Sequence, residues 1–203
     1  ALTVAVVSKP FSYEGKKCMD IADEGLEALS KHVDSLIIIL NEKLEEIYED
    51  DSMIEWLGHA DNVLNNAVAG IAEIINVPGH INVDFNDVKT IMGEQGKAMM
   101  GTATASGVDR ARIAAEQAVA SPLLDGIDLS GARGVLVNVT ASRGLKGKEI
   151  KEVMAAVRAF AAPDASIAQG IAYDDTMGDE IRVTVVATGL GRGKKNIQLV
   201  QTP

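Results

Sequence analysis

The stretch "LTVAVVSKPFSYEGKKCMDIADEGLEALSKHVDSLIIIL", residues 2–40, sets two apolar runs on either side of an amphipathic segment. The runs at 2–7 and 35–40 are continuous rather than alternating, which is how a strand buried on both faces of a parallel sheet reads. Between them Ile21, Ala22, Gly25, Leu26 and Leu29 recur at helical spacing with acids on the other side, predicting a helix over 14–31. Strand, helix, strand in 40 residues predicts one right-handed parallel crossover unit. Two such strands do not complete an apolar sheet. Their neighbours are expected from another polypeptide or from chain upstream, and an opening at Ala1, already inside a strand, is expected of a piece cut from a longer chain.

Downstream, "NEKLEEIYEDD" (41–51) carries six acids in 11 residues and reads as a solvated connection, followed by a short apolar helix at "SMIEWL". In "DNVLNNAVAGIAEIIN" the residues Val63, Leu64, Ala67, Val68, Ile71, Ile74 and Ile75 cover most of a helix circumference, predicting a core helix buried between two layers. Pro78 and Gly79 end it. Beyond them the expected order is helix (84–99), short strand near "GTATAS", helix (109–120), strand (134–140), helix (146–161) and two strands, "SIAQGIAY" and "IRVTVVAT", paired with each other. That order suggests an α+β layer sandwich rather than a continued doubly wound sheet. The fold class expected for the whole is α/β, with a partial Rossmann-like unit over 1–60, a central helix over 61–78, an α+β domain with a mixed sheet over 79–190 and an extended tail over 191–203.

Composition narrows the function classes. A hydrophobic content of 47% supports a real core, while 29 Asp plus Glu against 19 Lys plus Arg give a net charge of −10. Such a surface repels phosphate backbones, and 3% aromatics offer few stacking platforms, so nucleic acid is not an expected partner. A lone cysteine, Cys18, forms no internal disulfide and fits a reducing compartment. No apolar run approaches the roughly 18 residues of a membrane span, so no direct membrane insertion is expected.

The candidate chemistry centres on "GHINVDFNDVKT", 79–90, where Asn82, Asp84 and Asp87 lead into a helix. Asp84 reads as an N-cap and Asp87 as a first-turn acid favoured by the helix dipole. Asn82 and the junction setting are left over by that reading. Two carboxylates beside an amide also suit orienting a water, or holding a cation, against a phosphate stabilised from elsewhere. The glycine stretches "GEQGKAMMG", "GLKGKE" and "GLGRGKK" all miss the phosphate-loop spacing, so no phosphate cradle is expected. His32, His59 and His80, 27 and 21 residues apart, lack metal-site spacing.

Six segments together carry a resemblance: "LTVAVVSKPFSYEGKK", "LSKHVDSLIII", "ADNVLNNAVAGIAEIIN", "NVDFNDVKTIM", "SPLLDGIDLSGARGVLVNVT" and "DEIRVTVVATG". In order and spacing they resemble the FtsZ family of tubulin-like GTPases of bacterial cell division, over essentially the whole chain. The family's first half, with its "GGGTGTG" phosphate loop, has no counterpart in these residues, so the resemblance is to the second half of the globular core. It implies that Asn82, Asp84 and Asp87 enter the nucleotide site of the next subunit in a filament, where the acids polarise the attacking water and help position a Mg or K ion. It further implies that Glu14 contacts the ribose of GTP or GDP, that Asn41 approaches the base, and that Asp61 accepts from guanine N–H donors. Two positions depart from the family pattern: Cys18 stands where an Arg is common beside the ribose and phosphate, and Leu57 replaces a Phe that stacks on the base.

The partners implied are further copies of the protein in a head-to-tail filament, the missing N-terminal half, and division-ring proteins and inhibitors, at a cytoplasmic ring at mid-cell. The isolated half has an alternative role as a non-hydrolysing module that caps filaments. A small-molecule α/β enzyme unrelated to filaments is a third reading, resting on fold analogy alone.

Overall fold

The computed structural model describes residues 1–76, 84–93, 97–120 and 132–190. Strand β1 (Val4–Lys9), helix α1 (Lys16–Ser30) and strand β2 (Ser35–Leu40) form the expected crossover, with β1 and β2 parallel from Val4 opposite Ser35 to Lys9 opposite Leu40. Next come α2 (Asn41–Ile47), α3 (Met53–Asn76), α4 (Phe85–Met92), β3 (Lys97–Ser106), α5 (Arg110–Val119), β4 (Gly134–Ala141), α6 (Gly147–Phe160), β5 (Ser166–Tyr173) and β6 (Glu180–Leu190). The strands make one mixed six-stranded sheet in the order β1-β2-β3-β6-β4-β5. Among the described residues β2 touches β3 in parallel at Leu36–Lys97 and Ile37–Ala98, while β6 runs antiparallel between β3 and β4.

Side-chain alternation along the strands sorts the core into two layers. Leu36, Ile38, Met99, Val135, Val137, Val183 and Val185 face a cluster completed by α5 and α6, with Leu26 and Leu29 of α1 packed against it. Ile37, Ile39, Ala98, Met100, Leu136 and Val186 face the other side, against Leu44 of α2, Ala67 and Ile71 of α3, and Val88, Ile91 and Met92 of α4. The sheet is therefore covered on both faces by helices, an α/β arrangement.

Several expectations are corrected. The short helix at "SMIEWL" and the core helix are one 24-residue helix, α3. Its start is a capping box, in which the Ser52 amide donates to the Glu55 carboxylate at 2.7 Å and the Glu55 amide donates to the Ser52 hydroxyl at 3.4 Å. α3 buries one face through Ala67, Gly70 and Ile71 but leaves Val68 half exposed, so it is not enclosed on nearly all sides. The side chains of Ile74 and Ile75 lie outside the described residues.

The acidic run is not a bare connection: 41–47 is helical and buries Leu44. The helix expected over 84–99 stops at Met92, where the Gly93 amide donates to the Lys89 carbonyl, and Met99 belongs to β3. Ala98, Met99 and Met100 alternate between the two faces, a strand period that an apolar run disguises. β3 is ten residues rather than a short strand. β5 and β6 do not pair with each other, because β4 lies between them.

Candidate functional site

The two sets of expected site residues sit at opposite ends of the sheet. Lys9 and Leu40 pair at one end, and the chain leaves both strands there. Glu14 follows in a short 3-10 turn (Ser12–Glu14), and Asn41 opens α2 directly after Leu40. Carboxyl ends of parallel strands are where open α/β sheets place ligands.

The turn is fixed from three sides. The Phe11 ring is buried and stacks on Trp56 of α3 at 6.0 Å and on Tyr13 at 5.6 Å. The Ser12 amide donates to Glu45 of α2 at 2.6 Å, and the Ser12 hydroxyl to the same carboxylate. Glu14 turns one oxygen inward to accept the Phe11 amide at 2.9 Å. Trp56 donates its indole N–H to the Tyr48 carbonyl, and the Tyr48 ring stacks on His59, whose Nε2 lies 2.9 Å from Asp51. Through these contacts the structure gathers the elements bearing Glu14, Cys18, Asn41, Leu57 and Asp61 around one corner. Leu57 and Asp61, four residues apart, share an exposed stretch of α3.

Two of these residues have unusual surroundings. Asn41 is 7% exposed, and its Oδ1 is buried without a hydrogen-bond partner among the described residues. An orphaned buried acceptor is costly unless a donor arrives. Cys18 lies one helical turn from Glu14, with Sγ 3.7 Å from its carboxylate. Partial desolvation, and then the Glu14 charge and hydrogen bond, push the thiol up from its ordinary range, so it is a neutral group where an Arg was expected to be a cation.

At the other end, Gly134 pairs with both Ser166 and Thr188, and Leu190 pairs with Lys97. α4 packs there. Asp84 is its N-cap, with a carboxylate oxygen accepting from the Asn86 amide at 2.9 Å, and it is exposed. Asp87, one turn later and also exposed, lines an open cleft of about 460 Å³ with Thr90 and Ile91 of α4 and the start of β5. Asn82 lies outside the described residues, as do His80 and the Pro78–Gly79 breakers.

Sequence reasoning missed Glu45, which anchors the turn through Ser12, 33 residues away, and Thr188, whose hydroxyl bonds the Ile91 carbonyl of α4. Neither has a local signal. The Ser52-x-x-Glu55 pattern that starts α3 was readable.

The separation between the ends follows from strand geometry. β2 to β5 is four strand spacings, and β2 is six residues long, which together put Asn41 and Asp87 on the order of 25 Å apart. A carboxylate acts on a water or a cation at about 3 Å. The acids of this chain therefore cannot serve a ligand seated at its own Asn41 corner.

A mixed sheet of this order, sandwiched between helices, is a tubulin-like α/β fold. Residues 96–191 match the family model described as FtsZ family, C-terminal domain. The chain is 56% identical over 194 residues to the cell division protein FtsZ of Buchnera aphidicola subsp. Schizaphis graminum, covering 95% of this chain and 50% of that protein. A solved mutant FtsZ from M. jannaschii superposes with a TM-score of 0.89 at 44% identity, over 94% of this chain and 57% of that one. A second structure, described as an empty FtsZ dimer from M. jannaschii, gives 0.88 at 42% identity, over 100% of this chain and 62% of that one. The chain belongs to the FtsZ family and corresponds to the second half of its globular core. It spans about half the length of the curated relatives it matches.

Proposed function

We propose that this chain is the acid-donating half of a tubulin-like GTPase that assembles head to tail into the filaments of the bacterial division ring. Residues 1–60 contribute the corner that holds the guanine nucleotide, α3 is the link, and 79–190 form the domain that activates hydrolysis on the adjacent subunit. Glu14 binds the ribose, Asn41 approaches the base, Asp61 presents oxygen acceptors to it, and Leu57 gives that base an apolar rather than an aromatic neighbour. An acceptor-only carboxylate such as Asp61 favours guanine over adenine, which offers no matching pair of donors. Asn82, Asp84 and Asp87 orient and polarise the water that attacks the neighbour's γ-phosphate.

The observation that carries this reading is the placement of Asn41 and of Asp84 and Asp87 at opposite ends of the sheet, which leaves each set of residues needing a second molecule. A contact of one end on the other is heterologous and grows open filaments. The FtsZ dimer among the similar structures supports self-association. Among the described residues no group of three ligating side chains is found, so a Mg or K ion at the acids would take at most Asp84 and Asp87 from them. Phosphate oxygens and water would supply the rest, as is usual for Mg, and the chemistry such an ion would contribute is neutralisation of developing phosphate charge. Among the described residues no helix is long and apolar enough to cross a membrane.

The test is complementation in trans. A full-length FtsZ relative whose own activating acids have been replaced is mixed with this chain and GTP. Turnover that appears on mixing, and is absent with an Asp87→Ala chain, supports the reading. Equal turnover with and without Asp87 removes it. The capping role is distinguished by loss of filament growth without turnover.

A further inference from the structure

We infer that the Thr188 hydroxyl is a positioning residue for Asp84 and Asp87, acting through the carbonyl of Ile91; the catalytic consequence rests on the function proposed above. Thr188 is fully buried on β6 and donates to the Ile91 carbonyl at 2.7 Å. Ile91 lies in the last turn of α4, where helix carbonyls have no amide one turn ahead within the helix. The Gly93 amide takes the Lys89 carbonyl, and the Thr188 hydroxyl, for which the Gly134 carbonyl at 3.3 Å is a longer second acceptor, takes that of Ile91 at 2.7 Å.

The neighbouring strand is shaped around this contact. Gly134 of β4 is the cross-strand partner of Thr188. A Cβ at Gly134 would stand 2.5 Å from the Thr188 hydroxyl oxygen, 2.9 Å from Ile91 Cγ2 and 3.1 Å from the Ile91 carbonyl oxygen. No side chain fits between α4 and the sheet. The other contacts of α4 with the sheet run through Val88, Ile91 and Met92, apolar surfaces that resist separation but define position along or around the helix axis poorly. A directional bond at 2.7 Å defines it well.

Its effect reaches the acids because α4 is only eight residues, about 12 Å of rigid helix. Asp87 is one turn before Ile91 and lines the same cleft, with Asp84 one turn earlier again. A shift of the helix end at Ile91 is thus carried to both carboxylates, and about 1 Å of misplacement can cost on the order of a hundredfold in rate.

The test uses the trans assay with Thr188→Val, which keeps the shape and removes the donor, and Thr188→Ser, which restores it. Amide exchange over residues 85–92 and sedimentation with the relative's filaments are measured on the same chains. The expected result is turnover reduced about tenfold or more by Thr188→Val, with filament affinity unchanged, faster exchange in α4, and recovery of both with Thr188→Ser. A purely structural role would lower filament affinity and turnover together, and that pattern overturns the inference, as does wild-type turnover from Thr188→Val. If the unsubstituted chain supports no turnover, the function proposed above has failed, and exchange decides the latch alone: α4 protection identical in Thr188→Val and wild type overturns it. Gly134→Ala, whose Cβ would stand 2.5 Å from the Thr188 hydroxyl oxygen and so displace it, should reproduce the loss if Thr188→Val does not fold; unchanged turnover and α4 exchange in that variant would overturn the inference.

Discussion

Asp84 does two things that a single alanine variant would confuse. Its carboxylate caps α4 and, in the proposed function, lends negative charge to a neighbour's active site. Asn is as good an N-cap as Asp but carries no charge. Asp84→Asn should therefore leave thermal stability unchanged and abolish turnover in trans, whereas Asp84→Ala should also cost about 1 kcal/mol of stability; turnover surviving in Asp84→Asn would reduce the residue to a cap. Cys18 offers a second residue-level test, on the chain alone. With its thiol pushed up by partial desolvation and by Glu14, less thiolate is present at neutral pH, and the thiolate is the nucleophile. Alkylation of Cys18 should be slower than that of free cysteine and should accelerate in Glu14→Gln. Equal rates in the two chains would mean that the contact at 3.7 Å does not persist in solution.

Among the elements, α5 and α6 are tied to the turn before β6 by one guanidinium. Arg110 is nearly buried, pairs with Glu149 through Nε at 2.6 Å and Nη2 at 3.2 Å, and donates to the Asp179 carbonyl at 2.8 Å. Glu149 also accepts the Lys146 amide at 2.7 Å, closing the first turn of α6. Arg110, the leading cause, holds the Glu149 carboxyl below the usual range. A lowered folded-state value means that this contribution is complete above the ordinary Glu pKa of about 4.3 and fades as pH falls from there through the lowered value. Glu149→Gln should destabilise the fold by about 3 kcal/mol at neutral pH, because the nearly buried guanidinium loses the nearer and better buried of its two carboxylate partners, keeping only the exposed Asp179 at 3.3 Å, and should flatten the acid limb of a denaturation profile; an unchanged limb would place the acid sensitivity elsewhere. None of this was legible in the sequence, since Arg110 and Glu149 are 39 residues apart and only the fold makes them neighbours. β2 and β5, by contrast, were read to the residue, because continuous or regularly patterned apolar runs fix a strand locally. The reading failed where local pattern was ambiguous. The apolar residues 98–100 fit helix or strand, and strand order depends on long-range pairing that places β4 between β5 and β6. At the site, the Asp84 cap was visible as a pattern, while the orphaned Asn41 acceptor depends on burial that no sequence window contains.

In the proposed function the molecule is polar in the sense that matters for assembly: one end presents the acids, and the other presents the proposed nucleotide corner, on the order of 25 Å away. The glycine stretches within the chain lack phosphate-loop spacing, so the two ends should behave differently towards a filament. The acid end should dock on the exposed nucleotide of a terminal subunit, while the opposite end should offer an incoming subunit an incomplete seat. Growth should then stop at one filament end and continue at the other. Polarity-marked seeds of an intact relative, grown with a substoichiometric amount of this chain, would show that asymmetry directly. Asp87→Ala separates docking from chemistry, because its side chain is exposed and its loss leaves the apolar face of α4 intact. That variant should cap the same end while failing to stimulate hydrolysis there. Equal inhibition at both ends would mean that the chain associates through a surface unrelated to the acids, and the composite site would have to be abandoned.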